Sequence, residues 1–239
     1  MLRSLSILAA AAVLAGCAVT DISTLDTAES LNGGKARTVY GLGSGMNLNA
    51  VNVNPHPYEV EPSYIYKTPA TPGFNLAVGL GWGTEANFRF NFVPNSVGAR
   101  LGLKKELWGD PGGWSLALAP AVAASGHWLD SGAFKYAELD LPDEYTAKTL
   151  ELQMIATKRL TPSAAVSLAL RGNADYHFAE ETRWIRHGGL RGNVKLSSAS
   201  GAFTIWEAGL EAYRHMGKAL KFHPLVMFGL GFESPSLSQ

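Results

Sequence analysis

An alternation of period two recurs from Ala36 to Phe232 and constrains the fold of this chain more than any other feature. Phe74, Leu76, Val78, Leu80 and Trp82 alternate with Asn75, Ala77, Gly79 and Gly81. Trp114, Leu116, Leu118, Pro120 and Val122 alternate with Ser115, Ala117, Ala119, Ala121 and Ala123. Phe222, Pro224, Val226, Phe228, Leu230 and Phe232 share one parity near the carboxyl end. Side chains of a strand point alternately to its two faces, so each run reads as a strand with one bulky apolar face. The runs last roughly eight to twelve residues, longer than the usual five or six. A tilted strand needs about nine to eleven residues to cross a bilayer.

The opposite face decides what kind of sheet this is. A soluble sandwich would carry charges there. Here much of it is Gly, Ala and Ser, and the few charges read on it are Arg89, Arg100, Lys104, Glu151, Arg171, Glu207 and Glu211. Small residues with a few charges suit a narrow lumen, where those charges pair across the interior and close it. Charged residues are 17% of the chain, below the roughly 25% of an average globular protein. After the first sixteen residues no long apolar run remains, so no transmembrane helix is expected. Only helices and closed barrels cross membranes. The fold expected is all-β: an antiparallel up-and-down transmembrane β-barrel of 8 to 10 strands. A soluble periplasmic barrel or sandwich is the alternative.

Nine candidate strands lie near 36–46, 73–82, 86–92, 97–107, 114–125, 146–158, 164–175, 202–213 and 221–232. Bacterial single-chain barrels have an even number. Leu190–Leu196 is the best hidden strand, and 36–46 is the least secure member. Tight turn signals occur at Gly83-Thr84-Glu85, Gly109–Gly113 and Thr161-Pro162-Ser163. Long polar segments occur at Asn47–Pro72, Gly126–Ala147 and Tyr176–Ser200. Short turns at one rim and long loops at the other are the outer-membrane pattern. Trp82, Trp108 and Trp114 flank the tight turns as an aromatic girdle. Trp128, Phe134, Tyr136 and Tyr176 flank the long loops.

Residues 1–16 form a short export signal: Arg3 gives a positive start, and Leu5–Leu14 an apolar run too short to span a bilayer. Leu14-Ala15-Gly16-Cys17 resembles the lipobox of bacterial lipoproteins. That resemblance implies cleavage before Cys17 and acylation of it, leaving 239 − 16 = 223 residues. Ala18 and Val19, without an acidic residue after the Cys, imply delivery to the outer membrane. Cys17 is the only cysteine, so no internal disulfide is possible. The domain reading is a signal at 1–16, a lipid-anchored polar tether at 17–35, a barrel at 36–232 and a tail at 233–239.

Gly-Leu-Gly-Trp-Gly within Phe74–Phe92 precedes a strand of alternating Phe. Within Ser96–Val122, Gly-Ala-Arg-Leu-Gly-Leu-Lys-Lys-Glu-Leu leads to a Gly-Asp-Pro-Gly-Gly turn and an Ala-rich strand. In pattern, most of 36–232 resembles the small outer-membrane β-barrel proteins of Gram-negative bacteria. Many of that family end on an aromatic residue, whereas here Glu233–Gln239 follow Phe232.

Catalytic and cofactor signals are weak. His56, His127, His177, His187, His215 and His223 have no metal spacing, and the first four fall in or beside the long segments. No metal and no cofactor are expected. Ser125, His127 and Asp130 are the nearest approach to an acyl-transfer set, in the reverse order of the His-X-Ser signature of outer-membrane deacylases. Asp140, Asp143 and Glu144 lack calcium-loop spacing. Gly41–Gly45 is followed by no helix that could present its terminus to phosphate. A net charge of zero gives no reason to expect nucleic acid.

The function expected is a structural or surface-interaction role for an outer-membrane barrel lipoprotein, not an enzyme. Its partners would be outer-membrane lipid and, through the loops, lipopolysaccharide or another envelope protein. Arg183, Trp184 and Arg186 are the candidate loop contacts. The alternatives are a narrow ion or solute channel, a lipid-modifying enzyme, and a lipid-anchored soluble ligand-binding barrel.

Overall fold

The computed structural model describes residues 20–21, 25–46, 67–93, 96–110, 113–128, 144–178, 183–213 and 220–234. Its strands are β1 (Thr20–Asp21), β2 (Ala36–Met46), β3 (Lys67–Gly81), β4 (Thr84–Val93), β5 (Ser96–Gly109) and β6 (Trp114–Trp128). They continue with β7 (Glu144–Thr161), β8 (Ala164–Phe178), β9 (Arg183–Ser197), β10 (Ala202–Tyr213) and β11 (Lys221–Glu233). Each wall strand from β2 to β11 pairs antiparallel with its neighbours in sequence order, and β2 pairs with both β3 and β11. The wall is therefore a closed ten-stranded barrel, and the described residues contain no helix.

Residues 36–46 form β2, the strand that closes the ring. The hidden tenth strand is β9, and it contains Leu190–Leu196. The long polar segment expected at Tyr176–Ser200 is thus mostly wall. Its lumen-facing residues His187, Arg191, Asn193 and Lys195 are buried, while Leu190, Val194 and Leu196 face outward. An inward face this polar makes a strand look like a loop.

The bulky apolar parity faces out along the whole wall: Leu42, Leu101, Val122, Leu150, Leu168, Leu210 and Val226 are each more than half exposed. Cross-strand aromatic pairs stiffen this surface, with Tyr40 and Phe74 centroids 5.2 Å apart and Trp206 and Phe228 4.4 Å apart. The wall strands run from 10 residues in β4 to 18 in β7, enough to cross a hydrocarbon core when tilted.

One rim carries the tight turns. Trp82 and Gly83 have φ of 50° and 65°, as a two-residue type I′ hairpin requires. Trp82 is a turn residue and is 94% exposed, while Trp108 and Trp114 stand outward nearby. Asp110 accepts from Gly113 N–H, and Ser198 accepts from Gly201 N–H, closing two further turns. The opposite rim joins β2 to β3 and β6 to β7 through 47–66 and 129–143, which lie outside the described residues.

Candidate functional site: the plugged lumen

The segment read from sequence as a tether has its described residues 25–31 inside the barrel, and Asn32, Gly33 and Gly34 are exposed at the turn rim. Leu25, Ala28 and Leu31 are buried, as are Asp26 and Thr27. The wall makes room with small residues. Ala28 packs with Ala117, Ile155 and Ala169 from β6, β7 and β8. Leu25 sits in an inward-facing apolar strip of Val39, Phe203, Ile205, Leu225 and Met227 from β2, β10 and β11. A Cβ on Gly79 would fall 2.1 Å from the Asn32 carbonyl oxygen, so only glycine fits at that position.

An irregular segment buried this deeply must find partners for its backbone groups. Here wall side chains supply them. Leu25 N–H donates to Glu207 Oε2 at 2.7 Å, and Ala28 N–H donates to Thr157 Oγ1 at 2.7 Å. Ser30 N–H donates to Glu106 Oε2 at 2.9 Å, and Leu31 N–H donates to Glu85 Oε2 at 3.1 Å. Lys104 Nζ donates to the carbonyls of Thr27 and Glu29, and Asn193 Nδ2 donates to that of Asp26. At the turn rim, Gly34 N–H donates to Gly79 O, and Gly79 N–H donates to Lys35 O, which leads the segment into β2.

A four-member charge cluster locks the plug. Asp26 Oδ1 meets Arg37 Nη2 at 2.8 Å and Lys104 Nζ at 3.0 Å. Glu85 Oε1 meets the same two cations at 2.6 Å and 3.1 Å. Two cations and two anions balance within a region closed to water, the condition under which buried pairs hold. Nearer the rim, Glu29 pairs with Arg159, and Lys195 pairs with Glu233.

A second network fills the lumen away from the plug. Glu151 bridges Arg100 and Arg171, each at 2.6 Å, and Arg100 also donates to Asn87. Arg191 donates to Glu211 and lies 3.8 Å from Glu207. His187 stands between Glu211 on Nδ1 and Asp175 on Nε2, the latter at 3.0 Å. A neutral imidazole can donate to only one of them. Its other partner is Asn173, so the ring is held in place and arms no nucleophile among the described residues.

All seven charges singled out from sequence are buried: Arg89, Arg100, Lys104, Glu151, Arg171, Glu207 and Glu211. They do not act as one group. Lys104 belongs to the plug lock, and Arg100, Glu151 and Arg171 form one bridge. Glu211 belongs to the Arg191–His187 group, while Glu207 connects that group to the plug. Arg89 lies in register with Arg100. Sequence reasoning missed Arg37, Glu85, Asp175 and Arg191, although each has the inward parity of its own strand. It also missed Asp26, for which no periodicity exists.

His187, expected beside a loop, is buried in the lumen. Arg183, Trp184 and Arg186, expected in a loop, belong to β9, where Arg186 is exposed. Cys17, His56, Asp130, Phe134, Tyr136, Asp140, Asp143 and His215 lie outside the described residues, as do the side chains of His127, Trp128, Glu144, His177 and His223. Among the described residues no three side chains are grouped to hold a metal ion.

No family model matches the chain, and no curated protein matches it. Solved structures similar to it are outer-membrane barrels at very low identity. An outer-membrane channel from Pseudomonas putida F1 is 8% identical over 90% of this chain and all of that one, with a TM-score of 0.44. The amino-terminal β-barrel domain of OprF from Pseudomonas aeruginosa is 12% identical over 85% of this chain and all of the other, with a TM-score of 0.32. A bacterial polysaccharide outer-membrane secretin is 8% identical over 70% of this chain, with a TM-score of 0.40; the match spans 57% of the secretin.

Proposed function

We propose that this protein is an integral outer-membrane barrel, closed at rest by its own chain, with a non-catalytic structural or surface-interaction role. The observation that carries the reading is the inversion of its polarity. Most of the large Leu, Val, Phe and Trp side chains of the wall face outward, while ion pairs, one apolar strip and an internal segment occupy the interior. In water that surface would be an aggregation hazard, and in a bilayer it is solvated by lipid. The long connections 47–66 and 129–143 would then meet lipopolysaccharide or another envelope protein. An acylated Cys17 would add a second attachment.

Carbonate washing and heat-modifiability of wild type and Cys17→Ser test this. The serine variant is expected to stay in the membrane and to shift its gel mobility on boiling. A serine variant that becomes soluble and does not shift would overturn the barrel-in-membrane reading. A second reading, a narrow channel that conducts once the plug leaves, is favoured by one observation. The plug is held largely by hydrogen bonds and ion pairs, which can be exchanged for water. Purified protein in planar bilayers is expected to be silent most of the time, and steady conductance of the wild type would displace the closed-barrel reading.

A further inference from the structure

We infer that the chain threads its own barrel from rim to rim, so that its amino-terminal end leaves on the long-connection side and places the Cys17 acyl group in the outer leaflet. The leaflet assignment rests on the lipoprotein reading above, while the threading does not.

The path is fixed at both ends. Thr20 and Asp21 pair antiparallel with Met46 and Gly45, at the end of β2 that leads into the long connection. Further along, Leu25 lies against Gly41, where an added Cβ would be 2.6 Å from Leu25 Cδ1. Asp26 then reaches Arg37, and Leu31 and Asn32 reach Glu85 and Gly79. The segment thus descends along β2 in the opposite direction and turns into it at the short-turn rim. Asp21 to Leu25 and Gly45 to Gly41 each span four steps, about 13 Å of extended chain, so the two courses keep pace.

β11 pairs with β2 only from Arg37–Glu233 to Leu42–Phe228. β3 covers the other edge of β2 up to Met46. The edge that β11 leaves at Gly45 and Met46 is the one that β1 takes. Thr20 and Asp21 therefore stand at the long-connection rim, on the edge of β2 that β11 leaves, while Leu25 and Asp26 lie buried in the lumen.

Chain length then limits the anchor. Cys17 precedes Thr20 by three residues, at most about 11 Å of chain. That reach is well short of the roughly 30 Å hydrocarbon thickness separating the two rims. Short turns of outer-membrane barrels face the periplasm and long loops face outside. An acyl chain on Cys17 would accordingly insert from the outer face, so the protein would be fixed in the outer leaflet as well as through its wall.

The test uses the full chain in the outer membrane of Gram-negative cells. In a Cys17→Ser background, Val19→Cys and Ala199→Cys are single thiols placed before β1 and in the exposed short turn between β9 and β10. Both are exposed to a membrane-impermeant maleimide, before and after permeabilisation. Val19→Cys is expected to label fully in intact cells, and Ala199→Cys only after permeabilisation. Labelling of both from the same side would overturn the threading, and labelling of Val19→Cys only after permeabilisation would overturn the outer placement. Heat-modifiability identifies variants that failed to fold. For those, a Thr20→Cys/Met46→Cys pair serves instead, expected to cross-link under oxidation where Thr20→Cys/Ala199→Cys does not; the reverse refutes the path. Incorporation of labelled palmitate into protein retaining Cys17 reports the lipid separately. No incorporation, with Val19→Cys still labelled outside, removes the anchor and leaves the threading intact.

Discussion

Replacing Asp26 by Asn keeps the shape of the plug and removes one charge from its lock. Asp26 accepts hydrogen bonds from two cations, Arg37 and Lys104, and from its neighbour's amide, Thr27 N–H, which Asn can still accept. The bonds from the cations contribute about 1.5–3 kcal/mol each. Removing one partner from a buried pair costs about 3–5 kcal/mol when the other charge is left alone. Neither cation is left alone here, because Glu85 still faces both. The expected loss for plug docking is therefore about 2–3 kcal/mol. At about 1.4 kcal/mol per factor of ten, the undocked fraction rises roughly 30- to 150-fold. Hydrogen exchange of the folded protein in detergent reads this directly, because the amides of Leu25, Ala28, Ser30 and Leu31 are protected only by wall side chains. Their exchange should accelerate by that factor in Asp26→Asn, while the wall amides keep their rates. Glu29→Gln is the control. Its partner Arg159 is 38% exposed, so the expected effect is under about 1 kcal/mol. Exchange in Asp26→Asn within about threefold of wild type, or a larger effect from Glu29→Gln, would refute the charge lock.

Three further outcomes follow from the same geometry. Gly79→Ala sets a methyl against the Asn32 carbonyl and should loosen the plug exit by about 1–3 kcal/mol, read as faster exchange over 31–35. Leu101→Arg, on the outer face of β5, should cost about 2–4 kcal/mol if it lies near the bilayer midplane, and almost nothing if that face meets water. Urea unfolding in lipid vesicles gives the difference. Glu151→Gln leaves Arg100 and Arg171 without their shared carboxylate and should lower barrel stability by about 3–5 kcal/mol in the same titration.

The wall was legible because a strand has only two faces. Once Phe88 and Phe90 are assigned outward, Asn87, Arg89 and Asn91 must face in, and all three are buried. The same parity holds for Leu101 and Leu103 against Arg100 and Lys104. β9 was harder, because its outward face is interrupted by Gly188 and Gly192 and its inward face is charged. A period-two pattern with a weak apolar member resembles a polar loop until the pairing partners are known. The partition of the charges was not legible at all. Parity tells which residues share the lumen, but strand tilt and register decide that Lys104 meets Glu85 while Arg100 meets Glu151.

The plug was invisible for a more general reason. Its residues follow no period, since coil in a lumen satisfies its backbone one group at a time, through whichever side chain lies opposite. Glu207 on β10, Thr157 on β7, Glu106 on β5 and Glu85 on β4 each accept one amide. No spacing in a linear sequence encodes such a set. The wall does carry two indirect marks of its occupant. Ala117, Ala119 and Ala121 leave space that a barrel filled only by its own side chains would use for larger ones. The inward strip of Val39, Phe203, Ile205, Leu225 and Met227 would be apolar surface facing water if nothing covered it. A hollow lined by small residues, beside an apolar strip and carboxylates that outlast their wall partners, requires an amphipathic occupant with free amides. The chain's own residues 25–31 meet that description, and Asn32–Lys35 join them to β2.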